Sequence, residues 1–229
     1  AVWFALHNQL IRFDGRRFFV EEETSKSMGY KVAVDGEGQL WIGSGNVLRR
    51  WGTSGGERVD VGVSAAIRKL QVDRSGRLWV STMSAGAFCL DGDDFRQFSQ
   101  AEGMPRDAVN AVFEDREGLI WFATYGGGPV SFDPHGVRPA TLNEPGKRRA
   151  ERFVEDSTGK IWLRGNRNPD GDNWFGFIAD GGLQIVEEWP SGGPISVLDV
   201  DAEGQVLVGD TRQLRRLCDG RLDTVDLGT

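Results

Sequence analysis

Two histidines are the residues of this sequence whose type most directly suggests acid–base chemistry. His7 follows the apolar residues 2–6, and His135 lies in the segment Asp133-Pro134-His135-Gly136. The strand order derived below places them at opposite edges of their sheets, where they cannot act together. The sequence also has neither a Gly-x-Ser-x-Gly elbow nor a His-Glu-x-x-His pair. We therefore predict no catalytic residue, and we keep His7 as a candidate ligand contact.

An asparagine- and aspartate-rich loop, residues 165–173, raises the question of a metal. Asn166, Asn168, Asp170 and Gly171 match positions 1, 3, 5 and 6 of a calcium-binding loop. Position 12, where a bidentate Glu belongs, is Phe177. Without that ligand the match is incomplete, so we predict neither a metal nor a cofactor.

Trp174 directly follows this loop, which is longer than its counterparts elsewhere in the chain. An aromatic ring beside a long loop could stack on a flat ligand such as a sugar. Packing of Trp174 inside a strand with Phe175 and Phe177 is the alternative, and both interpretations stay open at this point.

A sequence repeat determines which elements position these residues. The pattern Asp-x-x-Gly-x-(Leu/Ile)-Trp begins at Asp35, Asp73, Asp115 and Asp156, and a fifth copy at Asp201 has Leu207 in place of Trp. Residues 2–5 resemble the end of a further copy, with Trp3 at the anchor position. The six anchors follow one another at similar intervals of about 40 residues, which is typical of repeat architectures.

Each repeat predicts four short strands. In the copy that begins at Asp115 these are residues 109–114, 119–124, 129–133 and 137–142, and Asp115 and Gly118 supply the first turn. Antiparallel four-stranded units of this length, each with a buried aromatic anchor, are typical of β-propeller blades. We expect an all-β fold, one β-propeller domain over residues 1–229, with blade units at residues 1–22, 29–61, 67–98, 109–142, 150–188 and 195–227.

The first unit has no segment for an inner strand, so six recognisable blades are expected with the first incomplete. Upstream sequence would supply the missing strand, and a fragment of a seven-bladed ring is an open alternative.

Composition excludes several function classes. The 229 residues include 27 Lys and Arg against 34 Asp and Glu, a net charge of −7, whereas nucleic-acid binding requires clustered positive charge. No apolar run approaches the roughly 20 residues of a spanning helix, so we expect no direct membrane insertion. The two cysteines, Cys89 and Cys218, fall in predicted third strands and are expected to be free thiols.

The candidate binding site follows from the alternating strand directions. The turn after the Trp strand and the start of the inner strand lie at one edge, which in propellers faces the channel mouth where ligands usually bind. Eleven residues before each anchor the residue type varies, while the position two residues later stays apolar. The varied residues are Tyr30, Arg68, Asn110, Glu151 and Ser196. Tyr125, Arg164 and His7 join them from the turns; an ordinary solvated rim is the alternative.

A run of residues in the fourth unit resembles the two-component regulator propeller repeat. These residues are Glu102-Gly103-Met104-Pro105, Val109, Val112, Glu114-Asp115, Gly118-Leu119-Ile120-Trp121, Ala123-Thr124, Gly127-Gly128 and Phe132-Asp133. The resemblance implies the periplasmic or extracytoplasmic sensor of a bacterial receptor, such as a hybrid histidine kinase or a diguanylate cyclase. It also implies a small-molecule or oligosaccharide ligand and a partner in the rest of the parent receptor.

Two other functions remain open. The Gly-x-Leu-Trp repeats also resemble the streptogramin lyases, propeller enzymes in which histidines supply essential groups, and this would imply a lyase or an enzyme acting on polysaccharides. A protein-interaction scaffold is the second alternative, with the basic runs Lys147-Arg148-Arg149 and Arg215-Arg216 as its rim charges.

Overall fold

The computed structural model describes residues 1–6, 8–23, 29–52, 55–59, 65–92, 94–133, 136–139, 148–167, 173–180, 182–189, 195–218 and 220–225. Across these ranges the regular structure consists of β-strands and a short 3₁₀ helix, Gln100–Glu102. The all-β prediction is confirmed; the 3₁₀ turn was not predicted.

The strands are short and follow the repeat. In chain order they are β1 Val2–Ala5, β2 Gln9–Phe13, β3 Phe18–Glu23, β4 Tyr30–Val34, β5 Leu40–Ser44, β6 Val47–Gly52, β7 Gly55–Val59, β8 Ile67–Val72, β9 Leu78–Thr82, β10 Ala87–Asp91, β11 Asp94–Phe98, β12 Val109–Glu114, β13 Ile120–Thr124, β14 Gly128–Asp133, β15 Gly136–Pro139, β16 Arg148–Glu155, β17 Ile161–Arg167, β18 Asn173–Ala179, β19 Gly182–Trp189, β20 Val197–Val200, β21 Val206–Gly209, β22 Leu214–Cys218 and β23 Arg221–Thr224.

Each sheet is built from consecutive strands, as in propeller blades. Strands β1–β3 form a three-stranded sheet, and β4–β7, β8–β11, β12–β15, β16–β19 and β20–β23 form four-stranded sheets. Within the described residues the first sheet therefore lacks an inner strand, as the sequence predicts. The fold is that of a β-propeller, with six blades of which the first is incomplete.

The aspartate of each repeat caps the turn between the inner strand and the Trp strand. Asp115 Oδ1 accepts hydrogen bonds from the backbone N–H groups of Glu117 and Leu119. The equivalent bonds recur at Asp35, Asp73, Asp156 and Asp201. The Gly three residues later has a φ between 76° and 90° in all five turns, a conformation that favours glycine. The predicted turn chemistry is confirmed.

The anchor tryptophans pack in the cores. Trp41, Trp79, Trp121 and Trp162 are all buried. Each indole N–H also donates to the second carboxylate oxygen of its own repeat's Asp, at 2.7–2.8 Å. The Asp and the Trp are six residues apart in every copy, so the repeat conserves a hydrogen bond as well as a packing contact.

The chain divides into two compact units, residues 1–102 with 107–112, and residues 103–106 with 113–229. In the first unit, buried residues of neighbouring sheets form a common core that includes Trp41, Leu48, Ile67, Leu78 and Phe88. In the second, an equivalent core includes Val154, Trp162, Phe175, Leu198 and Val208.

Within the described residues, no helix has the length and apolar character needed to cross a membrane. Cys89 in β10 and Cys218 in β22 are both free, as predicted. Burial raises the pKa of the Cys89 thiol to about 11, so this sulfur stays protonated and unreactive near neutral pH.

Candidate functional site

The predicted site residues lie where the inner strand of a blade begins and its Trp strand ends. We call this the site edge, and we call the opposite end, with the Asp-x-x-Gly turn, the turn edge. The register shows the arrangement directly, because Tyr30 at the start of β4 pairs with Ser44 at the end of β5. In the last blade, Val197 pairs with Gly209 in the same way.

Two of the predicted residues occupy β-bulges at the same repeat position. The β8–β9 register shifts between Ile67 and Lys69, which leaves Arg68 as the extra residue. The β16–β17 register shifts between Ala150 and Arg152, which leaves Glu151 as the extra residue. A bulge re-aims a side chain and locally ends strand pairing, and bulges are frequent beside binding sites.

In the second unit the structure brings Tyr125, Glu151 and Arg164 together around a fourth residue, Arg149. Arg164 Nη1 donates to Glu151 Oε2 at 2.7 Å. Arg149 Nε lies 3.4 Å from the other oxygen, Glu151 Oε1. The Arg149 guanidinium also lies 5.0 Å from the centroid of the Tyr125 ring, and the two backbones form an isolated β-bridge. We call these four residues the site-edge cluster.

The site-edge cluster is partly shielded from water and carries excess positive charge. The exposed fractions of the side chains are 17% for Arg164 and 24% for both Arg149 and Glu151. Burial lowers the pKa of Arg164, and the Glu151 carboxylate opposes this effect. An arginine keeps its proton in proteins, so one carboxylate faces two guanidinium groups. Such an arrangement can donate several directed hydrogen bonds to a polar ligand.

Trp174 supports this cluster from inside the blade. The side chain is fully buried in β18, so it packs within the blade and presents no ring face at the surface. Gly165, between Arg164 and Asn166 on β17, leaves no room for a Cβ beside the Arg149 carbonyl and the Trp174 ring. The close approach of these groups therefore requires glycine at this position.

Of the remaining described candidates, Ser196 is exposed before β20 in the second unit, and the others belong to the first unit. Tyr30 is 4% exposed, and burial, followed by the nearby Glu22 carboxylate, raises the pKa of its phenol. Arg68 and Asn110 are half-buried on β8 and β12. The structure thus groups the predicted residues by unit: Tyr30, Arg68 and Asn110 in the first, and Tyr125, Glu151, Arg164, Trp174 and Ser196 in the second.

Other sequence-based candidates lie outside the described residues, namely His7, His135 and the part of the long loop from 168 to 172. Across the part of the chain that the structure does describe, no group of three His, Cys, Asp or Glu side chains is placed to hold a metal ion.

Arg149 was not predicted as a site residue, because the sequence marks this arginine only as part of a basic run. Its contact with Tyr125 joins two successive blades. A pattern confined to one repeat carries no information about such a contact. The two bulges were also missed, because a bulge inserts no recognisable residue type.

Comparisons with known proteins agree with this architecture. The two-component regulator propeller model matches residues 103–126, so the chain carries this repeat, as its sequence predicts. None of the curated proteins compared with the sequence gives a match.

Several solved structures share the fold. The extracellular domain of the hybrid two-component system BT4673 from B. thetaiotaomicron has a TM-score of 0.76 and 16% identity over 97% of this chain. The chain spans 31% of the length of that protein. Virginiamycin B lyase from Staphylococcus aureus has a TM-score of 0.68 and 17% identity, with 87% of this chain and 70% of the lyase covered. The structure of YCF48 bound to D1 peptide has a TM-score of 0.64 and 12% identity, with 97% of this chain and 76% of YCF48 covered.

Proposed function

We propose that this chain is the ligand-sensing propeller of a bacterial signalling receptor, and that it binds its ligand at the site edge without chemically changing it. The observation that carries the proposal is the site-edge cluster of Tyr125, Arg149, Glu151 and Arg164. Arg149 and Glu151 lie on β16 and Arg164 lies on β17, and an isolated β-bridge joins Tyr125 to β16. Rigid supporting elements of this kind hold binding groups in fixed positions.

The contacts within the cluster favour recognition over catalysis. Its ionisable groups are two guanidiniums, one carboxylate and one phenol, and the carboxylate is already engaged by both arginines. General acid–base catalysis works best with a group whose pKa lies near the working pH. Guanidinium groups and a carboxylate paired with them are better suited to binding hydroxyl and carbonyl groups of a ligand.

The wider assignment is supported by the matched repeat and by the similarity to the BT4673 extracellular domain. On this basis we propose an extracytoplasmic location and a connection to the remainder of a parent receptor that converts binding into a signal. We propose an oligosaccharide fragment as the ligand class, because hydroxyl-rich ligands suit paired charged donors and acceptors at a rigid site.

Isothermal titration calorimetry with a panel of neutral and acidic disaccharides tests the proposal. Glu151→Gln removes the charge that orders both arginines but keeps the side-chain shape, so the affinity of a bound disaccharide should fall at least tenfold. Glu203→Gln is the matched control: Glu203 is exposed in the Asp201 turn of the same unit, at the turn edge, and this variant should bind within twofold of the unmodified chain.

Two results would contradict the proposal. Equal affinity in Glu151→Gln and Glu203→Gln would remove the cluster from the binding site. Mass spectrometry of the same mixtures would instead favour the lyase alternative if it showed conversion of a bound sugar or of a cyclic depsipeptide lactone.

A further inference from the structure

A cavity of about 710 Å³ lies at the turn edge of the first unit, away from the site edge of the same strands. It is bounded by the Asp35 turn, the Asp73 turn and the turn after β10, and Leu78 and Leu90 contribute apolar surface. This volume lies within the range of about 300–1,000 Å³ typical of small-molecule sites. The sequence pattern at this edge predicts only turn formation.

Arg50 is the residue that gives this cavity a chemical preference. Its guanidinium lies 5.1 Å from the centroid of the Trp41 ring and lines the cavity. The Arg50 Nε is buried, and it makes no hydrogen bond to any residue that the structure describes. A buried guanidinium nitrogen without an acceptor is costly, and a ligand oxygen would relieve that cost.

The sixth blade shows which carboxylate an arginine at this repeat position approaches. Arg50 pairs with Trp41 across β5 and β6, and Arg216 occupies the same place opposite Leu207 across β21 and β22. Arg216 Nε lies 3.1 Å from Asp201 Oδ2, an ion pair without the geometry of a hydrogen bond. In the second blade the corresponding oxygen, Asp35 Oδ2, already accepts the Trp41 indole N–H at 2.8 Å. The indole therefore already occupies the carboxylate oxygen that the arginine of the sixth blade approaches.

The other charged groups define the rest of the ligand. Glu37 and Asp91 line the cavity but are exposed, so water screens their charges more than that of the buried part of Arg50. Exposed carboxylates at the rim accept hydrogen bonds from hydroxyl groups, and Ser75 and Arg74 add donors from the neighbouring turn.

We propose that this turn-edge cavity binds a small hydroxycarboxylate. The carboxylate of the ligand contacts Arg50, and its hydroxyl groups face Glu37 and Asp91. A guanidinium held on an aromatic ring presents its N–H groups in one plane, which matches the two oxygens of a carboxylate. This site is separate from the proposed sensing site and does not depend on it.

Nuclear magnetic resonance titration of the ¹⁵N-labelled chain with sodium gluconate tests the inference, with glucose as the matched sugar that lacks a carboxylate. We expect gluconate to shift the Trp41 indole N–H resonance with saturation, and glucose at equal concentration to leave it in place. Arg50→Gln should weaken gluconate binding at least tenfold, and Arg50→Lys, which keeps the charge but not the planar fork, should weaken it less.

Arg16→Gln is the control for the loss of one positive charge, because Arg16 is exposed in the β2–β3 turn of the same unit, and it should bind gluconate within twofold. The inference is overturned if gluconate leaves the Trp41 resonance unmoved. It is also overturned if glucose binds equally well, or if Arg50→Gln and Arg16→Gln lose the same affinity.

Discussion

The fourth and sixth blades use the same aspartate turn but complete it with different partners. In the fourth blade, Asp115 Oδ1 caps the turn while Oδ2 accepts the Trp121 indole N–H at 2.8 Å. In the sixth blade, Asp201 Oδ1 makes the same turn contacts. Its Oδ2 makes no hydrogen bond to any residue that the structure describes, because the Leu207 side chain has no N–H to donate, and Arg216 Nε lies 3.1 Å away as an ion-pair partner.

This difference separates two roles that the repeat combines. The turn requires only one carboxylate oxygen, since the backbone bonds of the Asp201 turn form without a tryptophan. The second oxygen connects the turn to the core. A buried carboxylate oxygen loses its hydrogen bonds from water, so it needs a donor from the protein in their place. A tryptophan supplies that donor from inside the blade, whereas in the sixth blade a partly exposed arginine lies beside the carboxylate without a hydrogen bond to it.

The largest effect is expected when the aspartate is removed from the blade where it is most buried. Asp73 has a fully buried carboxylate that binds Trp79 Nε1 at 2.8 Å and Arg77 Nε at 2.7 Å. Asp73→Ala leaves both donors without an acceptor and should lower the free energy of unfolding by about 3–5 kcal/mol. Asp201→Ala, which releases no buried indole, should lower it by about 1 kcal/mol. Urea unfolding monitored by circular dichroism measures both, and equal losses would contradict the two-role interpretation.

A smaller effect is expected when only the donor is removed. Trp121→Phe keeps an aromatic ring in the core but leaves Asp115 Oδ2 without the indole N–H. It should lower the free energy of unfolding by about 1–2 kcal/mol. Trp121→Leu, which reproduces the residue of the sixth blade, adds the loss of ring packing and should cost about 2–4 kcal/mol. The same urea titration separates the hydrogen bond from the packing, and an unchanged midpoint for Trp121→Phe would show that the hydrogen bond contributes nothing.

The blade architecture could be predicted because the residues that determine it lie within each repeat. The turn is specified by an aspartate and by a glycine with positive φ, and the Trp strand by an anchor at a fixed distance from both. The inner strand predicted at residues 109–114 coincides with β12, and the missing inner strand of the first unit was visible as a missing apolar segment. The hydrogen bond between Asp and Trp could also have been predicted from the constant spacing of six residues.

The candidate sites could be predicted only in part, because they depend on contacts between repeats. Glu151 and Arg164 were expected at one edge from strand direction alone, but the role of Arg149 depends on a bridge to Tyr125 in the preceding blade. Arg50 lines a cavity bounded by the Asp35 turn, the Asp73 turn and the turn after β10, where Asp35 Oδ2 already accepts the Trp41 indole N–H. Side-chain competition of this kind has no signature in residue spacing.

The smallest effect is expected in the pH dependence of the fifth blade, where the Asp156 carboxylate is more exposed. Burial tends to raise the pKa of Asp156, but hydrogen bonds from Thr158, Trp162 and Lys160 outweigh it, so the pKa lies below its ordinary value of 3.8. Since the folded-state pKa is lower than the unfolded one, ionised Asp156 stabilises the fold above pH 3.8, and this contribution is lost as the pH falls through the folded-state pKa.

Asp156→Asn removes this titration, so the free energy of unfolding should depend less steeply on pH below 3.8 than in the unmodified chain. Trp162→Phe removes one of the donors that lower the pKa and should give an intermediate slope. Urea unfolding at a series of pH values between neutral and acidic conditions measures the three slopes. If Trp162→Phe left the slope unchanged, the indole would not be a partner of the ionised carboxylate. The tryptophan-completed turns would then differ from the Asp201 turn in packing alone.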